Sequence, residues 1–250
     1  DLRALGLETR ATALKALKSP HVPTVLLAAR LLEWVGDSSG GDPYTLVETS
    51  SRVGNVVAAA ACLDASLRLN GGRIPARAVS LLGHPQRQLR SLVEARLAQT
   101  PNPEYLTGLL QQISFGRESD SRHRAARLLA AYVTQPEARQ ALRNALVDTS
   151  VPVAFEAADA LGGLTTPEHA DWLEQQAMQG GSDVEKAYLF YAFLRQQAIG
   201  DTRSLNKDFL LACNNGSILP TYIQREGKKA VSLEEFLRGF SFLIDDKLNA

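Results

Sequence analysis

Arginine is the residue type with the most chemistry on offer in this chain. Arg87, Arg90 and Arg96 fall in one short stretch, Arg122, Arg124 and Arg127 in a second, and the acids Glu156, Asp159 and Glu185 follow. A guanidinium is planar and permanently charged, suited to carboxylates, phosphates and aromatic faces. On one shared surface these residues make a cationic centre with acidic neighbours, a bipolar groove. Arg90, Arg96, Arg122, Arg124, Arg127, Glu156 and Asp159 are then the candidate contacts for a partner protein or peptide segment. The competing reading is pairing with local carboxylates at i,i+3 or i,i+4 and simple solvation. Nucleic acid is disfavoured, because no aromatic residues are interleaved with these arginines as stacking platforms. Lys+Arg and Asp+Glu are equal at 27 each, so no global field holds a phosphate backbone.

Other reactive types carry weaker signals. His21, His84 and His123 fall at or just after turns and read as solvated; His169 is the fourth histidine. No His-Glu-x-x-His, Cys-x-x-Cys or phosphate-loop pattern occurs, so no metal or cofactor is expected. The carboxylates Glu33, Asp64, Glu94, Glu156, Asp159 and Glu185 read as a solvated polar face, with no diagnostic acid/base pairing and no catalytic residue assigned. Cys62 and Cys213 each sit in an apolar helical pattern and read as buried free thiols; a disulfide needs Cα atoms within about 7 Å.

The elements that position these residues are legible from two interleaved periods. Small-residue pairs recur at Ala28-Ala29, Ala60-Ala61, Glu94-Ala95, Ala125-Ala126, Ala157-Ala158 and Lys186-Ala187. Pro43, Pro75, Pro103, Pro136 and Pro167 recur out of phase with them. Such a double series, with a period of about 32 residues, is what stacked two-helix repeats leave in a sequence. Each Pro opens a helix, where its missing N–H is harmless. Each small pair lets a second helix approach its neighbours to about 8–10 Å. The spacing predicts six helix pairs, the earliest joining residues 8–18 to 23–35, with Gly71-Gly72 and Gly180-Gly181 as helix stops. The apolar run from Val56 to Leu63 is too short to span a bilayer.

The segment from Asp148-Thr149-Ser150-Val151-Pro152 through Ala157-Ala158 to Gly162 resembles the turn and second helix of HEAT repeats. That family usually carries an Arg after its Val; Ala154 stands there in this repeat, and Arg122, after Ser121, in the one before. The short period looks more like bacterial HEAT-type repeats than eukaryotic ones, and the resemblance covers roughly residues 8–198. It implies an all-α, right-handed α-solenoid of about six two-helix repeats whose second helices line a concave face. At about 9 Å per repeat, such a groove is on the order of 50 Å long. The resemblance specifies architecture, not activity.

Residues 1–198 are expected to form the repeats and 199–250 a capping segment. In the latter, Leu205 to Cys213 reads as a helix, residues 218–231 as a loop or short hairpin, and Ser232-Leu233-Glu234-Glu235 as the capping box of an aromatic-rich terminal helix. The functional expectation is a non-enzymatic scaffold that holds a partner segment on its concave face. The alternatives are an enzyme or enzyme accessory of lyase or glycosylase type on the same scaffold, or a domain of a larger envelope or secretion protein. Asp1 is not an initiator Met; a removed signal peptide places the chain in the periplasm, and otherwise the cytoplasm is expected. Oligomeric state is not legible.

Overall fold

The computed structural model describes residues 2–38, 41–179 and 182–200, and every regular element among them is helical. The capping segment and Cys213 lie outside the described residues, as do Gly180 and Gly181. The helices group into two compact units, Asp1–Gln112 and Ile113–Ala250, with the division inside a helix.

The first unit holds α1 (Leu2–Ala16), α2 (Val22–Val35), α3 (Asp42–Arg52), α4 (Val56–Leu69) and α5 (Arg87–Gln99). α2 packs on α1 and α4, and α4 on α3 and α5, so second helices lie against second helices as the repeat reading requires. Their shared core joins Leu17, Val25, Ala28, Ala29, Leu32, Leu46, Ala58, Cys62 and Ala65. Pro43 stands in the first turn of α3, and the Asn55 side chain caps α4 by accepting from the Val57 and Ala58 amides. Gly71 and Gly72 adopt φ of +64° and +83°, left-handed conformations that stop α4, with the Gly72 amide donating to Leu67 O.

Two details differ from the sequence reading. Pro75 opens a 3-10 helix, Ala76–Gly83, in place of an α-helix. Gly83 and Pro85 leave no room for further turns, and the tighter helix still buries Ala78, Val79, Leu81 and Leu82. The small-pair phase also slips. Ala60 and Ala61 are half-buried while Ala58, Ala59 and Cys62 face the core, and in α5 the buried stripe is Leu89, Val93 and Leu97, with Ala95 exposed.

α6 (Leu106–Phe115) follows a single 3-10 turn at Pro103–Tyr105. In the second unit stand α7 (Ser119–Leu129), α8 (Pro136–Ala145), α9 (Val151–Leu161), α10 (Pro167–Gln179) and α11 (Asp183–Gly200). α9 packs on α7, α8 and α11, and α10 on α11. Here the phase holds: Ala125, Ala126, Ala157 and Ala158 are wholly buried. At the end of α9 the chain comes so close to α11 that a Cβ on Gly162 would stand 2.7 Å from Ala192 O.

Candidate functional site

The polar face of the second unit is built from α7, α9 and α11, its three second helices. On α7, His123 and Arg127 lie one helical turn apart and both reach Glu156 of α9. Arg127 grips the carboxylate with Nε to Oε1 and Nη2 to Oε2, each 3.1 Å, and His123 Nε2 lies 2.9 Å from Oε2. Three residues further along α9, Asp159 meets Arg195 of α11 at 2.5 Å and accepts from the Tyr191 hydroxyl at 3.3 Å. The Tyr191 ring leans on Phe155 at 4.9 Å. Half of the Arg127 side chain, 54%, stays exposed, whereas Glu156 is 18% exposed.

The two carboxyls of α9 are pushed in opposite directions. Burial raises Glu156, but the hydrogen bonds from His123 and Arg127, with their charges, outweigh it and hold the group at about 2. Burial also raises Asp159, and there it prevails: Arg195 and the Tyr191 hydroxyl pull down, but the Glu156 charge pushes up as well. Burial and the Asp159 charge lift Tyr191 to about 12.

The remaining predicted contacts serve the stack itself. Arg122 forks onto Asp148 in the turn before α9, with Nε to Oδ2 at 2.7 Å and Nη2 to Oδ1 at 2.8 Å, and donates to Gly116 O. Burial raises the Asp148 carboxyl, but the Arg122 bond and the Ser150 amide bring it below its ordinary value. Arg124 is 8% exposed and holds Asp120 on its own helix at 2.8 Å. In the first unit, Arg96 pairs with Asp64 at 2.9 Å, and Arg90 donates to the carbonyls of His84 and Pro85. The structure thus brings Arg127, Glu156 and Asp159 together on one face and pairs Arg122 with Asp148 and Arg124 with Asp120.

His21 is exposed as expected, whereas His123 and His84 are held by neighbours. His123 lies inside α7, half-buried against Glu156. His84 accepts from the Gln86 amide through Nδ1, so Nε2 carries the proton and donates to Ser51 O at 3.0 Å. His169 is 1% exposed; its Nε2 donates to Leu161 O and its ring stacks on Trp172. Burial lowers its basicity, so it is a neutral core residue.

Sequence reasoning missed Arg195, Tyr191 and the role of His123. A signal for some of these existed: Tyr191 stands 32 residues after Asp159, as Asp42 does after Arg10 and Arg96 after Asp64. Searching for polar pairs one repeat apart would have found them.

Comparison with known proteins agrees with this architecture. Residues 106–188 match the family described as HEAT repeats. That segment belongs to the HEAT-repeat family. It runs from the start of α6 into α11 and contains His123, Arg127, Glu156 and Asp159. HEAT repeats as a class mediate contacts between proteins through the extended surfaces their stacking creates. A 44-residue stretch of the chain is 41% identical to part of methionyl-tRNA formyltransferase from Rickettsia bellii, covering 18% of this chain and 14% of that protein. The chain therefore spans a small fraction of that relative. No solved structure matches the chain. Among the described residues no group of His, Cys, Asp and Glu is arranged to hold a metal ion, and no helix is long and apolar enough to cross a membrane.

Proposed function

We propose that the second-helix face of the HEAT segment binds a segment of a partner protein, with Arg127, Glu156 and Asp159 as its central contacts. The supporting observation is the half-exposed Arg127 guanidinium on a carboxylate that neighbours a second carboxylate–arginine pair. A row of fixed charges of both signs, already ordered by its neighbours, offers a partner's side chains defined places at little ordering cost. Arg122 is engaged by Asp148 and Arg124 by Asp120, and Arg90 and Arg96 lie in the first unit. No cofactor is required.

The test is affinity capture from the native host with crosslinking and mass spectrometry, followed by Arg127→Ala. The variant should bind the captured partner about tenfold more weakly with an unchanged circular dichroism spectrum. Normal binding by Arg127→Ala ends this reading.

One observation favours catalysis instead: Glu156 and Asp159 sit a turn apart and are pushed to opposite sides of their ordinary values, as an acid and base pair is. It is the weaker reading, since Arg127 grips both Glu156 oxygens and Asp159 Oδ1 is shared by Arg195 and Tyr191.

A further inference from the structure

The first unit carries a surface of different chemistry. α2 is apolar on two sides. Val25, Ala28, Ala29 and Leu32 face the core, whereas Leu27, Leu31 and Trp34 are 63%, 36% and 86% exposed. At about 100° per residue these two sets are centred on roughly opposite sides of the helix. An apolar helix on all sides is ordinarily enclosed; among the described residues this one is covered on one side only. Trp34 is the most exposed large apolar side chain among the described residues.

The charges beside the stripe are unequal. Arg30, within the stripe's span, lies 3.8 Å from Glu33, and Arg68 of α4 lies 2.7 Å from the same carboxylate. Two cations share one anion. Their side chains are 66% and 60% exposed, while that of Glu33 is 8% exposed. The surface therefore combines a Trp–Leu–Leu ridge with an excess of positive charge, and Trp and Arg are the types that dominate binding energy at interfaces.

We propose that the Leu27–Leu31–Trp34 face of α2 docks an acidic amphipathic helix of a partner protein, with its apolar stripe on the ridge and its carboxylates on Arg30 and Arg68. The spacing i, i+4, i+7 covers two turns, about 10 Å, which a second helix laid alongside can match residue for residue. An extended strand is a poorer occupant, because its main-chain groups need a sheet edge, whereas the amides and carbonyls of α2 are used within the helix. The excess cation selects an acidic helix over a basic one. This inference does not rest on the face formed by α7, α9 and α11.

A phage-displayed library of random peptides, roughly 16 residues long, panned on the full chain tests it. The enriched peptides should carry apolar residues at i, i+4 and i+7 with Asp or Glu between them. Trp34→Ala and Arg30→Glu should each weaken their binding about tenfold or more. Both positions are solvent-facing, so the core is untouched; Leu27→Ser serves as a third variant, and thermal melts check the fold of all three. In a Trp172→Phe background Trp34 is the sole tryptophan, and its emission should shift to the blue on peptide binding. No enrichment, enrichment of basic peptides, or peptides indifferent to Trp34→Ala and Arg30→Glu overturns the proposal. So does self-association of the chain abolished by Trp34→Ala, which assigns the face to a second copy. A blue shift with phosphatidylglycerol vesicles and none with peptides overturns it in favour of a membrane surface.

Discussion

Glu156→Gln is the perturbation whose size the structure fixes best. The substitution keeps the shape of the side chain and removes the charge that Arg127 and His123 share. Moving a carboxyl from an ordinary value of 4.5 to about 2 is worth about 3 kcal/mol at 1.36 kcal/mol per pKa unit. Arg127 is half in solvent, so screening reduces this to about 1–2 kcal/mol. For a chain of this length that is a fall in Tm of about 2–8 °C. The sign of the pH dependence follows from the direction of the shift. The folded carboxyl is depressed, so its contribution is fully present above the unfolded value and is lost as pH falls through the folded one. The difference in stability between the native chain and Glu156→Gln should therefore shrink below about pH 4.5 and be nearly gone at about 2. Urea unfolding followed by circular dichroism across that range measures it. An equal Tm at pH 7, or a difference that grows between pH 4.5 and 2, refutes the reasoning.

Other consequences are independent of that residue. Arg122→Ala should cost about 2–3 kcal/mol, because it leaves the mostly buried Asp148 carboxylate short of its main partner; adding Asp148→Asn should cost much less than the sum, a non-additivity that a double-mutant cycle reads directly. Gly162→Ala should destabilise the second unit by about 1–3 kcal/mol, since the new methyl meets the Ala192 carbonyl. Gly163→Ala, whose nearest contact is 3.3 Å, should cost distinctly less in the same thermal melt. Burial lifts the Cys62 thiol to about 12, so in a Cys213→Ser background the folded chain should be inert to a disulfide reagent at pH 8 and react fully once unfolded.

The repeat architecture was legible because its two markers have local causes. A proline at a helix start and small residues on a close-packed face each act within one turn of chain. Pro43, Pro136 and Pro167 open α-helices as read, and Ala28-Ala29, Ala125-Ala126 and Ala157-Ala158 are buried as read. Where the marker rests on position alone it slips: around residue 60 and again around 95, the buried face is set by which residues meet neighbouring helices. The arginines were harder. Sequence separation offers i,i+4 partners, and Arg124–Asp120 is such a pair. Arg122–Asp148, Arg127–Glu156 and Arg96–Asp64 instead join residues 26, 29 and 32 apart. Those distances close only once the helices are stacked. Histidine burial was illegible for a related reason, since the environment of His169 is made by Trp172 and the end of α9.

Photocrosslinking within the native host bears most directly on the claim that the second-helix face of the HEAT segment is where a partner binds. Phe155, half-buried on α9 beside Glu156 and in contact with Tyr191, accepts benzoylphenylalanine as a larger aromatic, and Gln140, exposed on α8, serves as the first-helix control. Crosslinks to another protein from position 155, lost on adding Arg127→Ala, with none from position 140, are the predicted result. Crosslinks from 140 alone, or from 155 with Arg127→Ala as strongly as without it, contradict the account.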